Sequence, residues 1–211
     1  MSKNTQAVNV KWYPRLFTDD MVRELLADRK TATRWPLRKQ PAGFVQKVEE
    51  WTWGDAAGNT YRAPVCPGDI IWAREAWRPQ EVSAEARYCV IKYRADRAEQ
   101  KIGGDTGTLQ MGKNPMHWKP SIFMPRKVAR IFLRVTDVRL VRVQDISEEE
   151  TRTEGVMPPP EILDEYPFWN GKYNFATLWD TLYEDRGLGW DVNPWVWAAS
   201  FRRISKAEAE A

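Results

Sequence analysis

Between residues 44 and 143 the chain alternates short apolar runs with Gly, Pro and Asn turns, with no long helix-patterned stretch between them. That punctuation limits the folds open to it. FVQKVEEWTW and TYRAP flank GDAAGN and read as a hairpin turning at Gly58-Asn59. Pro67-Gly68-Asp69 is a turn, and Ile70, Ile71 and Trp72 open the next strand. RYCVIKYRA, residues 87–95, is another strand. Residues 127–143 alternate Val128, Ile131, Leu133 and Val135 with Arg130, Arg134 and Arg139, a strand with one basic face. A doubly wound parallel sheet needs helices between successive strands, so that class is disfavoured. The pattern predicts an α+β fold, a small, mostly antiparallel β-barrel flanked by a few helices.

Helical periodicity is confined to the two ends. Thr18 can cap a helix whose first turn holds Asp19 and Asp20 and whose stripe is Met21, Val22, Leu25 and Leu26. It should run to about Arg29 or Lys30. Pro36 keeps KTATRWPLR out of a helix. DISEEETRTEG reads as a short helix with a Ser147–Glu150 capping box and a stop at Gly155. Residues 173–186 carry Phe175, Leu178, Trp179 and Leu182 on one amphipathic face. NPWVWAASFRRI ends the fold as a strand. Residues 1–10 and 205–211 read as flexible tails, and 96–117 as a polar, Gly-rich loop.

Composition excludes several functions. A chain of 211 residues with 43% hydrophobic and 29% charged residues can bury a core without disulfides or metal. No run of 18 apolar residues and no apolar signal core occur, which predicts no membrane span and a cytoplasmic location. Cys66, Cys89 and His117 cannot supply a recognisable zinc pattern, so no metal is expected. GGDTG at 103–107 lacks the lysine and the strand–helix context of a phosphate loop, so ATP and NAD are disfavoured and no cofactor is expected. Net charge is only +3, but residues 29–39 carry five bases and no acid, and 119–142 carry seven bases against one acid. These stretches fit a polyanion, and equally a mixed solvated surface.

Lys30 and Thr33 lie three apart, which in a helix end or tight turn gives them a shared face. A threonine hydroxyl needs an adjacent base to act as a nucleophile. A lysine can be that base once its amine is neutral, and Arg29, Arg34 and Arg38 could supply the positive field that lowers its pKa. The same residues also fit a plain helix C-terminus followed by a strand. Glu154, set apart from Glu148, Glu149 and Glu150, could point inward as an orienting or proton-carrying carboxylate. It equally fits a solvated helix end. Trp35, Arg34 and Arg38 form one candidate binding group. Arg74, Glu75 and Trp77 form another, and Trp118, Lys119 and Ser121 in HWKPSIFMP a third. Twelve tryptophans leave room for some to stack on bases.

LLADRKTATRWPLR resembles the G-x-K-x-x-T signature of the ASCH domain family, which is followed closely by Arg. PGDIIWAREAW, DISEEETRTEGV and NPWVWAASFRRI resemble its later segments in the right order. The likeness spans most of residues 11–204 and is greatest to long, Trp-rich members from phages and prophages. It implies one PUA-like domain over 11–204, with insertions near 38–63, 96–117 and 157–172. Some small bacterial members of that family are amidohydrolases that deacylate N4-acetylcytidine with a Lys, a Thr three residues later and a Glu on the acidic helix. The resemblance places these roles on Lys30 as base, Thr33 as nucleophile and Glu154 as orienting carboxylate. It implies a modified cytidine nucleoside as substrate, in a bacterial host cell. The alternative is a non-catalytic module that binds RNA, DNA or a modified base. One departure stands out: Asp28 occupies the glycine position of the signature.

Overall fold

A computed structural model describes residues 10–83, 85, 87–103, 117–156 and 170–211. In chain order its elements begin with β1 (Trp12–Leu16), α1 (Asp19–Leu26), β2 (Ala32–Pro36), β3 (Val45–Glu49), β4 (Thr52–Asp55) and β5 (Thr60–Arg62). Then come β6 (Ile70–Arg74), β7 (Trp77–Ser83), β8 (Tyr88–Tyr93), β9 (Glu99–Gly103) and β10 (Phe132–Arg142). The chain ends with α2 (Glu148–Thr153), α3 (Gly171–Tyr183), β11 (Trp195–Ile204) and α4 (Lys206–Glu210). The class is α+β, as the punctuation predicts. The expected closed barrel is not found: among the described residues the sheets end at open edges, at β1, β2, β3, β5, β7 and β9. No helix among them is long and apolar enough to cross a membrane.

The chain divides into two compact units. The first comprises residues 28–69 and 134–202, joined by 10–11. Its β11 pairs antiparallel with β2, from Val196 opposite Pro36 to Ser200 opposite Ala32, and β10 is the next strand beyond β11. Val143, Ile146, Val196 and the α3 residues Phe175 and Trp179 form one buried cluster. The amphipathic pattern of residues 173–186 therefore buries the aromatics it pointed to.

The single hairpin expected between residues 44 and 65 is a three-stranded antiparallel meander, β3–β4–β5. The extra turn falls at Glu50-Trp51, where Trp51 is left-handed with φ 59°. Nothing in that dipeptide signals a turn, because bulky residues rarely adopt positive φ. The second turn has Gly58 at φ 79°, as its sequence suggests. Asp55 organises it. One carboxylate oxygen accepts from the Ala57 and Asn59 amides, and the other from the Ala42 amide and the Tyr61 hydroxyl. Burial works against this charge, but the donors outweigh it and hold the carboxyl well below its ordinary range. A lowered carboxylate pKa stabilises above the unfolded value and is lost as pH falls below it. The meander should therefore loosen below about pH 4. Asp55→Ala should reproduce that loosening at neutral pH, read as faster hydrogen exchange at Ala57 and Asn59 with β11 unchanged.

The second unit comprises residues 12–27, 70–133 and 203–211. β1 runs parallel to β6, and β7–β8–β9 form an antiparallel meander. Trp77, Cys89, Ile91, Tyr93, Met124 and Val128 are its core cluster. Thr18 caps α1 by accepting from the Met21 amide. The helix stops at Leu26, short of the expected end, because Asp28 is left-handed with φ 56°. That conformation favours glycine and tolerates Asp, so Asp28 fits the turn that ends the helix. β9 lies within the stretch expected to be a loop from 96; residues 104–116 lie outside the described residues. So do 157–169, most of the expected insertion at 157–172. The tail expected over 205–211 is instead the short helix α4, capped by Ser205 and burying Ala209. Both cysteines are free thiols, and burial raises the pKa of each.

Candidate active site

The first unit gathers Lys30, Arg34 and Glu154. The capping box at Ser147 and Glu150 starts α2, and Gly155, with φ 71°, ends it. A helix end leaves carbonyls without partners. Here the Thr31 amide donates to the Thr153 carbonyl at 2.8 Å, and Lys30 Nζ donates to the Glu154 carbonyl at 2.8 Å. These bonds tie the start of β2 to the end of α2. Lys30 Nζ also donates to Glu154 Oε2 at 2.9 Å, and Arg34 Nη1 to Glu154 Oε1 at 2.7 Å. All three side chains are buried, at 1%, 2% and 4% exposure for Lys30, Arg34 and Glu154. Glu154 is thus the inward carboxylate that its separation suggested, clamped between two cations.

The network continues outward. Arg34 Nη2 pairs with Glu150 Oε2 at 3.0 Å, and Arg139 pairs with the other Glu150 oxygen. Burial opposes the Glu150 charge, but Arg139, the Ser147 amide and Arg34 together lower its pKa. Arg34 also lies 5.9 Å from the Phe175 ring centre, and its Nε is buried without a protein acceptor. Glu148 accepts from the Gly171 and Lys172 amides and so holds the start of α3. The acidic run 148–150 thus does more than cap α2: Glu150 reaches Arg34 and Arg139, and exposed Glu148 holds the start of α3. Its capping role was legible, but its reach to Arg34, Arg139 and α3 was not.

Thr33 stands differently. Residues 32–36 form a strand, not the helix end or turn that would give Lys30 and Thr33 a shared face. Side chains alternate along a strand, so Thr33 lies on the face opposite Arg34, half-buried and opposite Ala199 in register. Trp35 shares that face and pairs with Trp197, which packs edge-on against Trp53 at 5.1 Å. Arg38 is exposed beyond the strand.

The remaining candidates lie in the second unit. Glu75, 1% exposed, accepts two bonds of 2.8 Å from Arg130, which also bonds both oxygens of Asp96. Burial raises the Glu75 pKa against the pull of Arg130. Arg74 donates to the Ile122 carbonyl and lies 4.8 Å from the Trp72 ring centre. Trp77 is buried. Its backbone exchanges bonds with Lys119, whose ammonium lies 5.0 Å from the Trp77 ring centre. Trp118 is flanked by Arg78 and Arg97, and Ser121 begins a short 3-10 turn.

Chemically, the Lys30–Glu154 contact is within proton-transfer distance. Moving one proton from Nζ to Oε2 leaves a neutral amine beside a carboxylic acid, with Arg34 still donating to Oε1.

No family model matches the chain, and no curated protein matches it. Among solved structures, a protein from Enterococcus faecalis described by the family name DUF984 is similar at 14% identity and a TM-score of 0.41. The alignment covers 95% of this chain and 83% of that one.

Proposed function

We propose that the first unit is an amidohydrolase site for N4-acylated cytosine nucleosides, with Lys30 and Glu154 as its proton-handling pair. The observation that supports this reading is the buried 2.9 Å contact between two residues 124 apart in sequence. They have the types and order implied by the ASCH resemblance. In the reaction the bond between the acyl carbon and N4 breaks, a water oxygen joins the acyl carbon, and a proton reaches the departing nitrogen. The products are the cytosine nucleoside and a carboxylic acid. Arg34 positions Glu154 by holding Oε1, which leaves Oε2 for Lys30.

The test is N4-acetylcytidine turnover followed by chromatography. Lys30→Ala and Glu154→Ala should each lose at least about 100-fold, the usual scale of a general acid–base contribution. Lys30→Arg separates chemistry from structure: it keeps the cation but cannot give up a proton at neutral pH. It should stay folded and inactive. Thr33→Ala then decides the nucleophile. Lost turnover in a folded variant assigns attack to Thr33, and retained turnover assigns it to water activated by the Lys30–Glu154 pair. A wild type inert on N4-acetylcytidine and on a panel of other acyl cytidines would overturn the reading.

A further inference from the structure

The outer face of the β7–β8–β9 meander carries aromatic rings capped by cations. Alternation puts Trp77, Pro79, Cys89, Ile91 and Tyr93 on the buried side. Arg78, Lys92, Tyr88 and Lys101 therefore lie on the other. The register sets Arg78 opposite Lys92, and Val90 opposite Lys101. The antiparallel bridge between Trp77 and Lys119 places Trp118 opposite Arg78, on this same outer face. Trp118 and Tyr88 are both half-buried, with part of each side chain in solvent.

Cations rest on both rings. The guanidinium carbons of Arg78 and Arg97 each lie 5.1 Å from the Trp118 ring centre. Lys101 Nζ lies 3.8 Å from the Tyr88 ring centre. Tyr88 is anchored by donating its hydroxyl to Glu81, so its ring is held beneath the exposed Lys101. Among the described residues, Glu81 and Glu99 lie on this face as well. Glu81 is taken up by Tyr88, and Glu99 by Lys92 at 2.9 Å. Arg97 and Lys101 are cations whose ring contacts a ligand could replace.

We infer that this face binds single-stranded nucleic acid. An exposed cation–π contact favours its closed form by about 2- to 5-fold, whereas a base stacked on an aromatic ring adds about 5- to 150-fold to binding. A base therefore displaces the cation from the ring, and the displaced cation pairs with a phosphate and releases a counterion. Tyr88 and Lys92 are four residues apart on β8, or about 13 Å. The Trp118 end of the face thus lies several bases from the Tyr88 end at the roughly 3.4 Å spacing of a nucleic-acid strand. A duplex cannot use the rings, because its base faces are already stacked.

The inference does not rest on the amidohydrolase reading, since it uses none of Lys30, Glu154 or Thr33. The test is fluorescence anisotropy with labelled 15-nucleotide U and T strands and a duplex of equal length. The expected result is binding of the single strands at 50 mM salt, weakened about tenfold or more at 200 mM, with the duplex weaker. Lys101→Glu and Arg97→Glu change exposed residues and should fold; each should weaken binding at least fivefold. Lys206→Glu, an exposed charge on α4, should weaken it less than twofold. Tyr88→Ala should cost at least fivefold at unchanged net charge. Four outcomes would each overturn the inference: no binding at 50 mM, equal binding of the duplex, equal losses for Lys206→Glu and Lys101→Glu, or full affinity in Tyr88→Ala.

Discussion

Replacing Glu154 by alanine is expected to destabilise the fold by about 3–5 kcal/mol, because it leaves buried cations without their counter-charge. Among the described residues, Lys30 loses its carboxylate partner and keeps the Glu154 carbonyl as acceptor, and Arg34 keeps Glu150. Against a total stability of about 5–15 kcal/mol, that is a large fraction. The loss belongs to the unpaired charge more than to the missing bond. Lys30→Met combined with Glu154→Gln should therefore be less destabilised than Glu154→Ala alone. The glutamine keeps an acceptor for Arg34 while the lysine charge is gone. Urea unfolding of the three proteins measures the difference. A shift below about 1 kcal/mol for Glu154→Ala would mean that water reaches the pair and screens it. The same residues carry the proposed proton transfer, so an inactive Glu154→Ala says little unless its folded fraction is measured alongside.

Arg130→Ala is the second large effect, expected at about 3–5 kcal/mol at neutral pH. The guanidinium holds both oxygens of buried Glu75, spans to Asp96 and lies 4.0 Å from the Tyr93 ring centre. Its loss leaves Glu75 to face burial alone. The sign of the pH dependence follows. Burial already raises the Glu75 pKa, and without Arg130 it rises further. A raised carboxyl pKa contributes stability below the unfolded value, near 4.5, that is lost as pH rises through the folded value. The variant's deficit against wild type should therefore be smaller at pH 5 than at pH 7. Asp96 works in the opposite sense in the wild type. Burial opposes its charge, but Arg130 and the Ala98 amide lower its pKa, and that stabilisation fades only as pH falls below about 4. Thermal melts at pH 5 and 7 check the sign. Adding Glu75→Gln to Arg130→Ala should flatten the dependence, and a deficit that grows toward pH 5 would count against it.

Local rules carried the local structure. The Thr18 cap, the Ser147–Glu150 box and the Gly58 turn each involve groups within a few residues, so side-chain chemistry and backbone sterics settle them where they stand. Asp69 shows the same economy: it accepts from the Cys66 amide and closes the turn that Pro67-Gly68-Asp69 announced. In the structure, the period-two alternation of β8 puts Cys89, Ile91 and Tyr93 inside. The ring-bearing outer face is the other half of that same alternation, but its cations had to be located in space.

The sequence by itself thus determined the α+β class and most strands and helices, and left Glu154 open between an inward carboxylate and a solvated helix end. Tertiary structure alone decided what Glu154 meets. Its contact with Lys30 closes a separation of 124 residues, and the Glu75–Arg130 contact closes one of 55. No local propensity encodes such a meeting; it depends on where packed elements bring their ends. Thr33 shows how the local state decides which residues can share a face. Residues three apart share a face in a turn, but Thr33 lies in β2, whose pairing with β11 sets it on the face opposite Arg34, while Lys30 precedes the strand.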